Sequence, residues 1–134
     1  MKRLKHIIYM LLPLLAGCSS IWGSTSETIV LDSKIPDMYV EVYDTDNKVI
    51  EQGRTPLAVN LKKGRGYFLK EHYKIKAYHQ DGSGWEHELT PQLSLTYLFN
   101  LVVPWGQIGM LTIDPYSGSM WTFYQDTIIL DEEK

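Results

Sequence analysis

Residues 73–89 read YKIKAYHQDGSGWEHEL, and this stretch decides the predicted fold class. Apolar and polar side chains alternate along both of its halves, and the glycine-rich residues 80–84 separate the halves. Alternation with a period of two places every second side chain on the same face of a β-strand. The stretch therefore predicts an antiparallel hairpin with one buried and one exposed face.

The charges on the two halves predict a register for this hairpin. Placing Lys76 against Glu88 joins opposite charges on the outer face, whereas a shift of one residue sets apolar side chains against charged ones. The predicted pairs are His79–Trp85, Ala77–His87, Ile75–Leu89 and Lys76–Glu88.

The segments before the hairpin also carry strand patterns. They are residues 29–31, 39–43, 48–50 and 57–61, separated by turn-forming residues. The glycine-rich residues 62–66 are predicted to form a solvated turn, because no lysine-serine pair or apolar helix follows them as a phosphate-binding loop requires. The chain is therefore predicted to be mainly β.

A long uncharged segment lies between Glu88 and Asp114. Its weakly polar residues recur at helical spacing up to Pro104, which predicts an apolar helix ending there. The remaining residues predict a C-terminal hairpin of strands 108–113 and 119–124 around a turn at 114–118, and then a strand at 127–130. Residues 93–113 either cover the sandwich or contact a bilayer.

The N-terminus has the pattern of a secretory signal peptide. Three basic residues and no acidic one stand in the first five positions, and residues 7–15 form an apolar run too short to span a bilayer. Leu15-Ala16-Gly17-Cys18 resembles the lipobox of bacterial lipoproteins. The resemblance implies cleavage before Cys18, diacylglycerol on its sulfur and acylation of the new amino group. The alternatives are a signal peptide without lipidation and a free thiol at Cys18.

Several acyl chains hold a protein firmly to a membrane, whereas one chain anchors it only marginally. Ser19 stands where an aspartate marks inner-membrane retention in enterobacterial lipoproteins, so we expect the inner leaflet of an outer membrane, facing the periplasm. The predicted organisation is a signal peptide at 1–17, a tether at 18–28 and one domain at 29–134.

The charge of the mature chain excludes one class of partner. Removing residues 1–17 leaves 10 basic and 16 acidic residues, so the formal charge moves from −3 to −6. Nucleic-acid binding requires a basic surface, and we therefore expect no nucleic-acid partner. Cys18 is the only cysteine, so no intrachain disulfide is expected.

Two motifs in the first half of the domain, with the strands after them, resemble the PEGA domain of bacterial surface proteins. The residues are Val40-Glu41-Val42-Tyr43-Asp44, Gly53-Arg54-Thr55-Pro56-Leu57, Leu61 and Tyr73-Lys74-Ile75-Lys76. Ile35-Pro36-Asp37-Met38 stands in place of the eponymous Pro-Glu-Gly-Ala. Over residues 29–90 the resemblance implies a small antiparallel β-sandwich, without enzymatic activity, in a cell-envelope protein.

The C-terminal part resembles the tail of PEGA-type lipoproteins. The matching positions are Asn100, Gly106, Ile108, Gly109, Asp114, Pro115, Gly118, Met120 and Trp121. Ser117 and Ser119 replace a threonine and an alanine, and the usual paired glycines around position 106 are reduced to Gly106.

The candidate chemical groups give no catalytic, metal or cofactor site. His72, His79 and His87 with Glu71, Glu86 and Glu88 form the only cluster to consider, but in the predicted register the glutamates at 86 and 88 face away from the histidines. A zinc site needs three or four converging ligands. A hydrolase or metal protein built on these histidines is therefore the least favoured hypothesis.

Function is expected to lie in binding. We expect a non-enzymatic structural or protein-interaction module of the envelope, attached to the membrane through acylated Cys18 and bound to an envelope protein. The alternative is a glycan- or peptidoglycan-binding module that uses exposed Trp85, Trp105 and Trp121, although at least two of the tryptophans are expected in the core.

Overall fold

A computed structural model describes residues 24–99, 102 and 106–131 of the chain. The described elements are, in order, β1 Ser26–Ser33, β2 Tyr39–Tyr43, β3 Val49–Arg54, β4 Leu57–Lys62, β5 Gly64–Gly66, β6 Leu69–Lys70, β7 Tyr73–Tyr78, β8 Gly84–Leu89, β9 Gln92–Leu93, α1 Leu95–Phe99, α2 Gly106–Ser117, β10 Trp121–Thr122 and β11 Thr127–Leu130. The mainly-β fold class with helical structure before the C-terminal strands is confirmed. The signal peptide, Cys18 and most of the tether lie outside the described residues.

Two sheets face each other across a single core. One sheet has the order β11-β1-β4 and the other the order β3-β2-β7-β8. Alternate side chains of the central strands point inward, as the period of two predicts. The inward side chains include Ile29, Leu31, Val40, Val42, Val59, Leu61, Ile75, Ala77, Ile128 and Leu130, each at most 3% exposed. The arrangement is a β-sandwich.

The first sheet is not wholly antiparallel. β1 pairs with β4 in the antiparallel sense but with β11 in the parallel sense, with Leu31 opposite Ile128. A parallel neighbour requires a long crossover, and here almost the whole domain separates the two strands. No local pattern could have predicted this pairing. β1 also begins at Ser26, so the predicted domain start at Ile29 is late.

The β7–β8 hairpin forms, but its predicted register is wrong by two residues. The observed pairs are Tyr73–Leu89, Lys74–Glu88, Ile75–His87, Lys76–Glu86 and Ala77–Trp85. A shift of two residues keeps each side chain on its face, so the predicted faces are correct. Glu86 lies within 3.5 Å of both Lys74 and Lys76.

The turn explains the register. The His79 N–H donates to the Ser83 carbonyl at 2.7 Å, and the Gly82 N–H donates to the His79 carbonyl at 3.1 Å. Gly82 has φ +86°, the left-handed conformation that follows a type I turn in a three-residue hairpin loop. The prediction used a five-residue loop, whereas Asp81-Gly82 closes the loop after three.

The C-terminal prediction is wrong over residues 108–113. These residues belong to α2 rather than to a strand, and the predicted turn at 114–118 is the end of that helix, with Gly118 just beyond it. A short apolar run cannot be assigned to helix or strand from its periodicity alone. The expected return strand at 119–124 shrinks to β10, which pairs with β9, so the predicted C-terminal hairpin is absent from this described region. The strand at 127–130 is confirmed as β11.

Within the described residues, neither helix is long and apolar enough to cross a bilayer.

Candidate docking surface

The sandwich has two ends that differ in character. We call the end where β1 begins the proximal end; Ser26 pairs there with Lys62, and Tyr73 with Leu89. The distal end is the opposite one, where Tyr78 pairs with Gly84 and Ser33 with Leu130. The β5–β6 hairpin and α2, which lie outside the two sheets and contact each other, are at the proximal end.

A largely buried ion pair joins β1 to the residue between β4 and β5. The Lys63 Nζ lies 3.0 Å from Glu27 Oε1, and the side chains are 5% and 27% exposed. Glu27 also accepts hydrogen bonds from the Thr122 hydroxyl at 2.9 Å and the Phe123 N–H at 2.9 Å. The predicted solvated turn at 62–66 is thus wrong at Lys63, because its side chain is paired inside the domain.

These contacts determine the ionisation of Glu27. Burial raises its pKa, but the hydrogen bonds from Phe123, Lys63 and Thr122 outweigh that effect and hold the pKa below its ordinary value. The carboxylate is therefore charged at neutral pH.

The β5–β6 hairpin packs against α2 through a carbonyl that the helix cannot satisfy. Pro115 lies inside α2 and has no N–H, so it cannot donate to the carbonyl of Leu111. The Tyr67 hydroxyl donates to that carbonyl at 2.6 Å, and the Phe68 N–H reaches the Pro115 carbonyl at 3.4 Å. The hairpin therefore supplies the hydrogen bond that the proline removes.

Two glycines bring β5 and the end of α2 together. Gly118 has φ +78° and ends α2 in the left-handed conformation. A Cβ atom on Gly118 would lie 2.9 Å from the Gly64 backbone nitrogen, and one on Gly64 would lie 2.8 Å from the Gly118 Cα. Only glycine at both positions permits this contact.

A buried polar cluster lies beneath the last turn of α2. Asp114 is 2% exposed, and its carboxylate accepts a hydrogen bond from the Ser119 hydroxyl at 3.1 Å. The Ser117 and Ser119 hydroxyls lie 2.8 Å apart.

The exposed faces of α1 and α2 carry no charged side chain, whereas the β5–β6 hairpin carries Arg65 and Lys70 on either side of its apolar residues. On α2 the exposed side chains are Gln107, Ile108, Leu111, Thr112, Ile113 and Tyr116, and the helix's only ionisable carboxylate, Asp114, points inward. α1 joins this helix through Tyr97, whose hydroxyl donates to the Met110 carbonyl at 3.1 Å. A surface helix ordinarily carries charged side chains on its solvent side.

We define the apolar surface by its large exposed side chains. They are Tyr67, Phe68 and Leu69 of the β5–β6 hairpin, Leu95, Leu98 and Phe99 of α1, and Ile108, Leu111, Ile113 and Tyr116 of α2. Leu111 is 58% exposed and Tyr116 77%. Contiguous exposed apolar patches mark sites of interaction with proteins or membranes.

The tryptophans predicted as an interaction surface do not form one in the described residues. Trp85 is half-buried on β8, packs against the core and lies 4.9 Å from the His79 ring, measured between centroids. Trp121 is half-buried on β10 in a different sheet, with Lys70 6.0 Å above its ring. Trp105 lies outside the described residues.

The histidines occupy separate environments. The His72 Nδ1 lies 3.1 Å from the Thr90 hydroxyl, His79 lies against Trp85, and His87 is exposed on β8. Among the residues that the structure describes, no three histidine, cysteine, aspartate or glutamate side chains are grouped so that they could hold a metal ion.

The part of the apolar surface on the β5–β6 hairpin was not predicted from the sequence. Tyr67-Phe68-Leu69 is the signal that could have revealed it, because three large apolar residues directly follow the glycine-rich residues 62–66, where a solvated turn was expected.

Comparisons with known proteins leave the family open. No protein-family model, curated protein or solved structure matches the chain. The PEGA-like resemblance and the lipobox therefore remain predictions from the sequence.

Proposed function

We propose that this chain is an outer-membrane lipoprotein, acylated on Cys18, whose sandwich is a non-enzymatic interaction module facing the periplasm. The observation that supports the proposal is the position of β1, which begins at Ser26, eight residues after Cys18, at the end of the sandwich that carries the apolar surface. The basic and apolar leader before Cys18 supports the same conclusion.

The proposed partner is an envelope protein at the distal end. With the acyl chains at the proximal end, the distal end faces away from the membrane. It carries a cleft of about 160 Å³ lined by residues that include Ile35, Met38, Tyr39 and Tyr78. The Asp37–Arg54 ion pair borders this cleft, with its atoms 2.5 Å apart. Aromatic side chains beside an arginine are the composition that protein interfaces favour.

The anchor is tested by the intact mass and location of the full chain expressed in a Gram-negative host. We expect loss of residues 1–17, a mass increase for diacylglycerol and fatty acid at Cys18, and recovery in the outer membrane. Cys18→Ala should retain the leader. The matched variant Ser19→Asp should be acylated equally but move to the inner membrane. An unmodified Cys18 in the wild-type chain contradicts the anchor.

The partner is tested by photocrosslinking in living cells. A photoreactive amino acid at Ile35 should give one adduct of constant mass, whereas the same group at exposed Asn60, on the outer face of β4, should give none. Equal adducts from both positions, or none from Ile35, contradict distal docking.

A further inference from the structure

We propose that the apolar surface rests on the phospholipid leaflet that holds the acyl chains of Cys18, so that α2 and the β5–β6 hairpin lie in the interfacial region of the bilayer. This inference rests on the lipid anchor proposed above and adds a second, protein-borne membrane contact. Apolar helices that lie in the interface plane bind through the apolar area that they bury there.

The first argument is the length of chain between the anchor and the surface. Ser24 is the sixth residue after Cys18, and a chain of that length spans at most about 20 Å when fully extended. The Thr25 carbonyl accepts a hydrogen bond from the Lys63 N–H at 3.0 Å. Gly64 directly follows Lys63 and contacts Gly118 at the end of α2. The short segment therefore keeps the apolar surface beside the bilayer.

The second argument is charge. The exposed part of α2 carries no ionised side chain. In the β5–β6 hairpin the apolar Tyr67, Phe68 and Leu69 are flanked by Arg65 and Lys70, whose long side chains can keep their charges in the headgroup layer. Insertion below the headgroups penalises charged side chains, whereas Tyr and Phe suit the interface. The formal charge of −6 on the mature chain disfavours attachment by electrostatic attraction to anionic lipid, so apolar contact must supply the affinity.

The third argument is effective concentration. Once the acyl chains are inserted, contact between the apolar surface and the leaflet is an intramolecular event, and a weak contact is then populated.

The experiment measures membrane contact at single labelled positions of the full, acylated chain. Acylation occupies the only native cysteine, so an introduced cysteine is the only free thiol available for an environment-sensitive fluorophore. The test variants are Leu111→Cys and Leu69→Cys, 58% and 57% exposed at the proximal end. The matched controls are Ile35→Cys and Ile129→Cys, 43% and 60% exposed at the distal end.

Each labelled protein is placed in vesicles of phosphatidylethanolamine and phosphatidylglycerol, with and without doxyl-labelled phosphatidylcholine. At the two proximal positions we expect a blue shift, quenching by the doxyl lipid and loss of quenching by aqueous iodide. At the two distal positions we expect iodide quenching and none by doxyl lipid.

The remaining outcomes each decide against the inference. If all four positions are equally open to iodide, the surface faces water. If Leu69 and Leu111 are shielded from iodide but not quenched by doxyl lipid, a second copy or the N-terminal segment covers the surface. Flotation of the unlabelled protein with vesicles, measured first, separates the two proposals: failure to float refutes the anchor, whereas flotation with an iodide-accessible Leu111 refutes only the membrane-resting surface.

Discussion

Glu27 is the residue on which several contacts at the proximal end converge. Its carboxylate holds the almost fully buried ammonium group of Lys63 and accepts hydrogen bonds from residues 122 and 123. Removing one partner of a buried pair leaves the other charge unsatisfied, which costs far more than the net value of the pair.

Glu27→Gln should therefore lower the free energy of unfolding by about 3 kcal/mol at neutral pH. The pKa of Glu27 is lowered in the folded state, so its contribution is complete above the unfolded value of 4.5 and is lost as the pH falls through the folded value. Urea unfolding should show that the difference in the free energy of unfolding between wild type and variant decreases as the pH is lowered into the acid range.

A matched exposed pair provides the control for this substitution. Asp131→Asn, which removes the partner of Lys34, should change the free energy of unfolding by less than about 1 kcal/mol, because both side chains are solvated. Equal effects of the two substitutions would contradict a structural role for the Glu27–Lys63 pair.

Tyr67 provides a second test at the residue scale. Tyr67→Phe removes the hydroxyl that satisfies the Leu111 carbonyl and should cost about 1 kcal/mol in the free energy of unfolding. Tyr116→Phe should cost nothing measurable, because Tyr116 is 77% exposed and no hydrogen bond from its hydroxyl is found among the described residues. Urea unfolding midpoints compare the two; identical midpoints would show that water replaces the Tyr67 hydroxyl.

At the scale of elements, α2 is a helix where the sequence predicts a strand at 108–113 and a turn at 114–118. Its residues 108–113 carry β-branched and apolar side chains that fit a strand, and Asp114-Pro115 matches the start of a turn. The helix is stable because Tyr67 replaces the hydrogen bond lost at Pro115 and Gly118 contacts Gly64. These contacts come from residues more than 40 positions away in the chain, so no local window contains them.

Substitution by alanine should have opposite effects on the stability of the fold at Gly118 and at Gly109. Gly118→Ala forces a Cβ against the Gly64 nitrogen at a left-handed φ and should destabilise the fold by about 2 kcal/mol. Gly109→Ala lies inside α2 with open space around it and should stabilise the fold by about 0.5–1 kcal/mol through helix propensity. Thermal unfolding of both variants tests the pair; a loss of stability in Gly109→Ala would contradict the helical assignment of 108–113.

In the β7–β8 hairpin, the alternation of side chains determines the two faces, whereas the turn determines the register. The alternation of side chains identified both strands and both faces correctly. The register depended on the conformation of Gly82, and a two-residue shift leaves the alternation unchanged, so the pattern could not detect it.

At the scale of the whole molecule, stability should be distributed unevenly between the sheets and the proximal end. β1, β2 and β7 are flanked by strands on both sides and carry fully buried side chains, whereas α1 has five residues and β9 and β10 two each. Local opening requires least free energy where few apolar contacts and few hydrogen bonds are broken.

Amide hydrogen exchange of the acylated protein in detergent should follow this distribution. We expect the slowest exchange in β1, β2 and β7, faster exchange in α2, and the fastest in α1, β9 and β10. Mass spectrometry of peptic fragments resolves these segments. Protection of α1 equal to that of β1 would show that the proximal end folds as part of the central cooperative unit.

Local sequence determined the strands, their buried faces and a mainly-β class, because alternation is a property of neighbouring residues and persists wherever the strand is placed. It also predicted the leader, the lipobox and the anchor at Cys18, which lie outside the described residues. Tertiary structure decided the parallel β1–β11 pair, the helical state of residues 108–113 and the gathering of apolar side chains at the proximal end, because each depends on contacts between residues far apart in sequence that no local pattern records. The hairpin register was decided by the conformation of its turn at Gly82, to which the alternation of side chains is insensitive.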